Sequence, residues 1–471
     1  MTVSGDAKPH KAFGLLAVAG SVACSVGTLV AGFGHSWGQV VAAGGFVLFA
    51  AIEQPRLNRT ARVYCLIALA ALVLSVIRRG EIGPGLIHAL ADGALFAAIF
   101  ASVGLLAAAS RHSTLVQRCG QALIRQPPSR RYAALTAGGH LLSILLSFGA
   151  LPLLATMIGQ ANSLHEAGGD ERIQRVRSQR MLLALLRSFC AILLWSPLSV
   201  AVLMVLGTIP GLGWRDIGVF GIIEAAILLA LGALVDRASF ARRTVPTAGD
   251  TAIPWRDALI LAGIAASVFA TASLIHHGAQ VPLTIGIIAG VPLVALGWLM
   301  AQVRPSAWID HGLMVIGPYL RHGLTAQRTE VAVVGAAAAI GAVMLDLLPA
   351  HAIDGAASHL ALPPWLAVGV IVWVIVGLGQ VGLNPVLTVA MLAPGLAQGF
   401  PDIHRPVLAL ALVTGWSISL QSSPFTAGIL MLSQYAQVPP ATFGRVWNGR
   451  YVLAALCVAS LFLGVLQMAW G

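Results

Sequence analysis

One interrupted pattern occurs twice in this chain, about half its length apart. Gly149-Ala-Leu-Pro152, followed by Thr156, is matched by Gly382-Leu-Asn-Pro385, followed by Thr388. Further on, Trp195-Ser-Pro197-Leu-Ser199 is matched by Ser422-Ser-Pro424-Phe-Thr426. Pro152 and Pro385 lie 233 residues apart, Pro197 and Pro424 227, so both motifs recur in one order at nearly one separation. Each motif interrupts a run apolar enough to enter a bilayer. Hydrocarbon offers no water to satisfy backbone groups. Spans there are helical, and irregular backbone survives only where protein buries it or a wet cavity adjoins it. Glycine- and proline-interrupted hydrophobic segments at corresponding places in two halves point to a transporter's binding site. The pattern predicts an all-α polytopic membrane protein with inverted structural repeats, each with a re-entrant hairpin and a broken transmembrane helix.

Composition agrees. The 471 residues are 58% hydrophobic and 10% charged, with mean hydropathy +0.87, too apolar for a water-soluble surface. Runs of spanning length fall near 12–34, 37–53, 61–78, 84–108, 216–236, 257–275, 280–302, 330–349 and 448–470. With two broken spans these make about 11 transmembrane segments. The first run follows Lys8 and Lys11 and reads as a retained span. Residues 1–36 form a cytoplasmic tail and this span, and residues 37–236 the first repeat, with its hairpin near 132–162 and broken span near 181–207. A cytoplasmic linker covers 237–256. The second repeat, 257–471, has its hairpin near 364–398 and broken span near 405–433.

A net charge of +11 invites a nucleic-acid reading, but the placement of the charge opposes it. Of 28 Lys and Arg, all but Arg78, Arg79, Arg215 and Arg405 fall on one side of the proposed spans. Basic loops mark the cytoplasmic side. The expectation is a multi-pass protein of a bacterial inner membrane, with a cytoplasmic N-terminus, a C-terminus on the opposite side and no nucleic-acid partner. Residues 111–131, which mix arginines with apolar side chains, should lie along the cytoplasmic interface. The same polarity opens the first hairpin from the cytoplasm and the second from the other side.

The sequence also excludes chemistries. Five scattered cysteines form no Cys-x-x-Cys motif or Cys/His cluster, so neither a structural disulfide nor a metal site is expected, and no cofactor is implied. There is no Walker A motif to drive transport with ATP. No His-Glu-x-x-His motif and no pair of aspartates at catalytic spacing within the spans appears, so the chain is not read as an enzyme. An intramembrane enzyme stays as the lesser alternative.

What remains is binding. Pro197 and Pro424 should break their spans, exposing free N–H groups and a positive dipole end suited to an anion. Ser196, Ser199, Ser422, Ser423 and Thr426 add hydroxyls there. At the tips, unwound backbone at Gly149 and Gly382, with Pro152, Thr156, Asn384, Pro385 and Thr388, is expected to hold the substrate or a coupling ion. His140 and Glu224 are candidate proton carriers, because an ionisable group at mid-bilayer is costly to keep without a role. Asp92 and Asp346 are read as facing neighbouring helices or the interface, and Arg187 as reaching back to the cytoplasm.

In these features the chain resembles the ion transporter superfamily, in particular divalent anion–sodium symporters and their arsenite-pump and citrate-transporter relatives. Leu146-Ser-Phe-Gly-Ala-Leu-Pro152 and Gln380-Val-Gly-Leu-Asn-Pro385 stand at the hairpin tips. Trp195-Ser-Pro-Leu-Ser199 and Ser422-Ser-Pro-Phe-Thr426 stand at the span breaks. Neither tip carries the symporters' Ser-Asn-Thr, and only the second keeps an Asn. The resemblance implies a mobile transport domain of hairpins and broken spans, a scaffold of the remaining spans, a homodimer and elevator-type alternating access. The cargo would be a small carboxylate or oxyanion, coupled to sodium or protons. A proton-driven efflux carrier for another solute is the alternative.

Overall fold

The computed structural model describes residues 7–79, 84–209, 211–240, 254–347 and 362–470, and their regular structure is helical throughout. The chain opens with α1 (Ala7–Gly32), α2 (Trp37–Glu53), α3 (Arg59–Arg79) and α4 (Pro84–Arg111). Then come α5 (Thr114–Ile124), α6 (Pro128–Leu146), α7 (Ala150–Ala161), α8 (Glu171–Ile192), α9 (Val200–Thr208) and α10 (Trp214–Ser239). The second half begins with α11 (Trp255–Ala279), α12 (Leu283–Ala301), α13 (Trp308–Pro318) and α14 (Arg328–Leu347). It ends with α15 (Pro364–Gln380), α16 (Pro385–Gly399), α17 (Arg405–Leu420), α18 (Ala427–Ala436) and α19 (Gly449–Trp470). Eight helical runs among the described residues are long and apolar enough to cross a membrane, whereas the apolar α15, α16 and α17 are shorter. Residues 241–253 of the expected linker and the side chain of Asp346 lie outside the described residues.

The chain divides into two compact units, each drawing on both halves of the sequence. One takes Met1–Ser113 and Ile264–Pro349, the other Thr114–Gly263 and Ala350–Gly471.

In the first unit, α1 and α2 pack along their whole length because small residues let their backbones touch. A Cβ on Gly27 would lie 2.4 Å from the Ala42 nitrogen, and one on Gly38 2.3 Å from the Ala31 nitrogen. Phe46 and Phe49 of α2 then bury against Ala94 and Ala97 of α4. Glu53 is 1% exposed and holds Arg56 at 3.0 Å and Arg328 at 3.2 Å, fastening the end of α2 to the start of α14. A π-helical turn, Tyr319–Gly323, is tied to α4 by the Tyr319 hydroxyl, which donates to the Ala101 carbonyl at 2.5 Å.

The second unit holds every tip and span break. Helix α7 folds back on α6, and α16 on α15, so both arm–break–arm segments are hairpins. Hairpin arm α6 packs on α8, and α15 packs in the same way on α17. Amphipathic α5 buries Val116, Cys119 and Leu123 while exposed Arg118 donates to Asp257 at 2.7 Å. One expectation changes: α10 and α19, assigned to the scaffold, belong to this unit. Both pack on α17 and on each other, and α10 also covers α8. Gly221 brings α10 so close to the first span break that a Cβ would sit 2.2 Å from the Leu194 carbonyl oxygen.

Candidate functional site

The first tip turns where the sequence did not mark it. Ser147, at φ +50°, carries the reversal, whereas Gly149 has a helical φ of −64° inside the 3₁₀ turn Ser147–Gly149. The backbone expected to unwind at Gly149 is therefore wound, and Pro152 sits in the first turn of α7, where a missing N–H costs nothing. Thr156 is exposed on α7; its hydroxyl donates to the Pro152 carbonyl at 2.7 Å and meets the Tyr435 hydroxyl at 3.2 Å. The second tip follows the sequence more closely. Gly382 takes φ +99°, which a side chain would strain. Asn384 caps α16 by accepting from the Val386 N–H at 2.9 Å, Pro385 opens the helix, and the Thr388 hydroxyl donates to the Asn384 carbonyl at 3.2 Å.

Both span breaks form at Ser-Pro. Between α8 and α9 the Ser196 hydroxyl accepts from the Leu198 N–H at 3.3 Å, and Pro197 is buried. Ser199 stands at the N-cap of α9, yet its buried hydroxyl has no hydrogen-bond partner among the described residues. Between α17 and α18 the hydroxyls are more committed. Ser423 donates to the Gly379 carbonyl at 2.7 Å, Ser422 accepts from the Gln380 amide at 3.0 Å, and Thr426 donates to the Leu420 carbonyl at 2.8 Å. Pro424 is buried among them. Arg445 completes the latch, reaching the Gln380 side chain at 3.0 Å and its carbonyl at 2.8 Å. It comes from a second π-helical turn, Thr442–Trp447, whose Gly444 lies so near the break that a Cβ would be 2.6 Å from the Ser422 carbonyl oxygen.

The breaks are interlocked. The returning hairpin arm α7 packs on α18, and the other returning arm, α16, packs on α9. Each hairpin thus meets the half-helix of the other broken span. Gly428, near the start of α18, would place a Cβ 3.7 Å from Leu151 Cδ1, near the start of α7. Two half-helix N-termini, the positive ends of their dipoles, therefore adjoin. The spans also join just before their breaks, where the Ser417 hydroxyl donates to the Cys190 carbonyl at 2.8 Å. Buried oxygens without partners among the described residues occur here: Ser199 Oγ, Ser419 Oγ and Glu224 Oε2. Burying such an atom costs about 1–3 kcal/mol unless something pairs with it.

The ionisable candidates separate. Glu224 is fully buried, and among the described residues only its Oε1 is engaged, accepting from the Thr414 hydroxyl at 2.8 Å. His140 is engaged at both nitrogens: Nδ1 lies 2.9 Å from the Ser188 carbonyl, and Nε2 accepts from the Trp195 indole at 3.1 Å. Since a carbonyl can only accept, Nδ1 carries the proton and the ring is neutral. Trp195 is accordingly held in place rather than free to swing, and its carbonyl takes the Trp214 indole N–H at 2.6 Å. Asp92 is exposed on α4.

Arg187 overturns its expectation. It is not an exposed side chain: it is 3% exposed, with its guanidinium 4.2 Å above the Tyr451 ring. Nε and Nη2 donate to Asn448 Oδ1 at 3.0 and 2.9 Å, and Nη1 to the Tyr132 hydroxyl at 2.8 Å and the Gly232 carbonyl at 3.2 Å. Asn448 in turn donates to the Gln421 carbonyl at 2.7 Å, tying this buried cation to the second break. Neutral acceptors on three segments of chain hold it, a solution invisible to a search for a nearby carboxylate. Asn448, Tyr132 and Arg445 carried no motif; a polar residue beside a break was the one available signal, and only Gln380, at the start of the second-tip motif, and Gln421 had it.

No protein-family model matches the chain, and no curated protein matches it. Among solved structures it is similar to the YdaH transporter of Alcanivorax borkumensis, whose crystal structure is described as revealing an unusual topology. The match has a TM-score of 0.53 at 15% sequence identity and covers 88% of this chain and 99% of that one. Likeness at that identity is a likeness of fold: this chain is a polytopic all-α membrane protein whose fold is shared with a transporter.

Proposed function

We propose that the protein is a secondary active transporter that moves a small carboxylate or oxyanion by elevator-type alternating access. The observation that carries this reading is the interlocking of four half-helices that all begin at breaks within one compact unit. Irregular backbone at membrane depth is expensive, and half-helix N-termini paired across two repeats are a common way to seat an anion there. The site hydroxyls are uncharged, which suits a small anion held by backbone dipoles better than a polyanion that would need an Arg clamp. The fold shared with a transporter supports the same reading. By resemblance, the unit with the hairpins moves, the other serves as scaffold in a homodimer, and the membrane is a bacterial inner membrane.

Coupling is to sodium or to protons. The unpaired Glu224 oxygen favours protons, and with them the second reading, an efflux carrier for a different solute. His140, engaged at both nitrogens, is the weaker carrier.

The test is thermal stability of the purified protein against carboxylates, oxyanions and amino acids, each with and without sodium. A ligand at a hundred times its Kd stabilises by about 2.7 kcal/mol. Stabilisation by a carboxylate or oxyanion should vanish in Ser199→Ala and Ser419→Ala, whose hydroxyls have no partner among the described residues whose loss would harm the fold. Dependence on sodium would assign symport. If no anion stabilises and pH alone shifts the melting point, the anion reading fails and the efflux reading replaces it.

A further inference from the structure

Away from the breaks, on the Arg-rich side of the second unit, a cavity of about 400 Å³ opens between α8, α10 and the start of α19. Arg187 and Arg450 line it with Asp236, and its walls include Phe240, Trp447 and Val446. The charges do not cancel. Asp236 is already taken by Arg180 in a two-pronged pair at 3.0 and 2.6 Å. Among the described residues Arg187 has only neutral acceptors, and one of its five N–H groups is undonated there. Arg450 is exposed and makes no hydrogen bond or ion pair with the described residues. Two cations thus face a cavity whose single carboxylate is spoken for. Basic pockets between membrane helices bind anionic headgroups, and arginine pairs with phosphate through its planar fork. The apolar wall adds a second requirement. Val446, 72% exposed, and Trp447 offer a surface along which an acyl or glycerol portion can lie.

We infer that this cavity binds a phosphate group through Arg450 and the remaining N–H of Arg187, presented by an anionic phospholipid headgroup or a free phosphate-bearing solute. The bound anion would sit one relay, Arg187–Asn448–Gln421, from the second span break.

Native mass spectrometry of the full-length protein, released from detergent with phosphatidylglycerol and phosphatidylcholine together, tests this. The expected result is a saturable phosphatidylglycerol adduct, weaker by about tenfold in Arg450→Gln and largely restored in Arg450→Lys. Arg450 is exposed and spans no core contact, so these variants should fold. A parallel thermal-shift series with inorganic phosphate and glycerol 3-phosphate separates the sources. Arg450-dependent stabilisation by these solutes without a lipid adduct assigns a free solute. Equal binding of both lipids, an adduct unchanged in Arg450→Gln, or no binding in either series overturns the inference.

Discussion

Removing the Asn448 side chain should destabilise this protein more than its modest size suggests. Asn448→Ala deletes both bonds to the Arg187 guanidinium, at 3.0 and 2.9 Å, and the bond to the Gln421 carbonyl at 2.7 Å. With about 1.5 kcal/mol for each charge-assisted bond and about 1 for the third, the loss is roughly 4 kcal/mol. Polar contacts between membrane helices measure weaker than their water-soluble counterparts, which brings the expected loss to about 3 kcal/mol. Tyr132→Phe removes a single bond to the same guanidinium and should cost about 1 kcal/mol. The decisive arm is Arg187→Met combined with Asn448→Ala. Much of the single-variant cost is a stranded buried charge, so removing that charge should return about 2 kcal/mol. Unfolding in one fixed detergent can be followed with a thiol-reactive dye, since Cys24, Cys119 and Cys190 are buried free thiols. The reasoning fails if Asn448→Ala costs no more than Tyr132→Phe, or if the double variant is as unstable as the sum of its parts.

Gly27→Ala should separate α1 from α2 and lower stability by about 2 kcal/mol, while Gly44→Ala, which meets nothing within 4 Å, should leave the melting point unchanged. Glu224→Gln can keep the Thr414 bond and should melt like the wild type, yet abolish proton-coupled transport in liposomes; persisting coupling would remove Glu224 from the mechanism. His140→Phe strands the Trp195 indole N–H and should cost about 2 kcal/mol in a melting assay. The sign with pH follows from the same bond. A proton on Nε2 turns acceptor into donor, so acidification should weaken the Trp195 contact in wild type and have no such effect in the variant.

How far the sequence reached is plain at the two tips. Gly382 marks a turn because its φ of +99° demands a residue without a Cβ, and Asn384-Pro385 is a local helix-start signal. The first tip carried Gly149 as its flag, yet Ser147 makes the turn. Packing of α7 against α8 and α18 imposes a conformation that local preference would not choose. Ser-Pro announced both span breaks for the same local reason, since a proline beyond a helix's first turn removes a donor and clashes with the turn before it.

The sequence alone therefore determined the medium and marked where helices are weakened: a chain this apolar must sit in lipid, and a proline or glycine lowers the local preference for helix, although Pro292 stays inside α12 and Pro394 inside α16. Those are properties of single residues and their nearest neighbours. Which helices join the hairpins, why α10 and α19 belong with them, and how Arg187 stays buried on neutral acceptors were decided only by tertiary structure. The reason is distance along the chain. Arg187 lies 261 residues from Asn448 and 55 from Tyr132, and Glu224 lies 190 from Thr414, so no local pattern relates them until packing brings their atoms together.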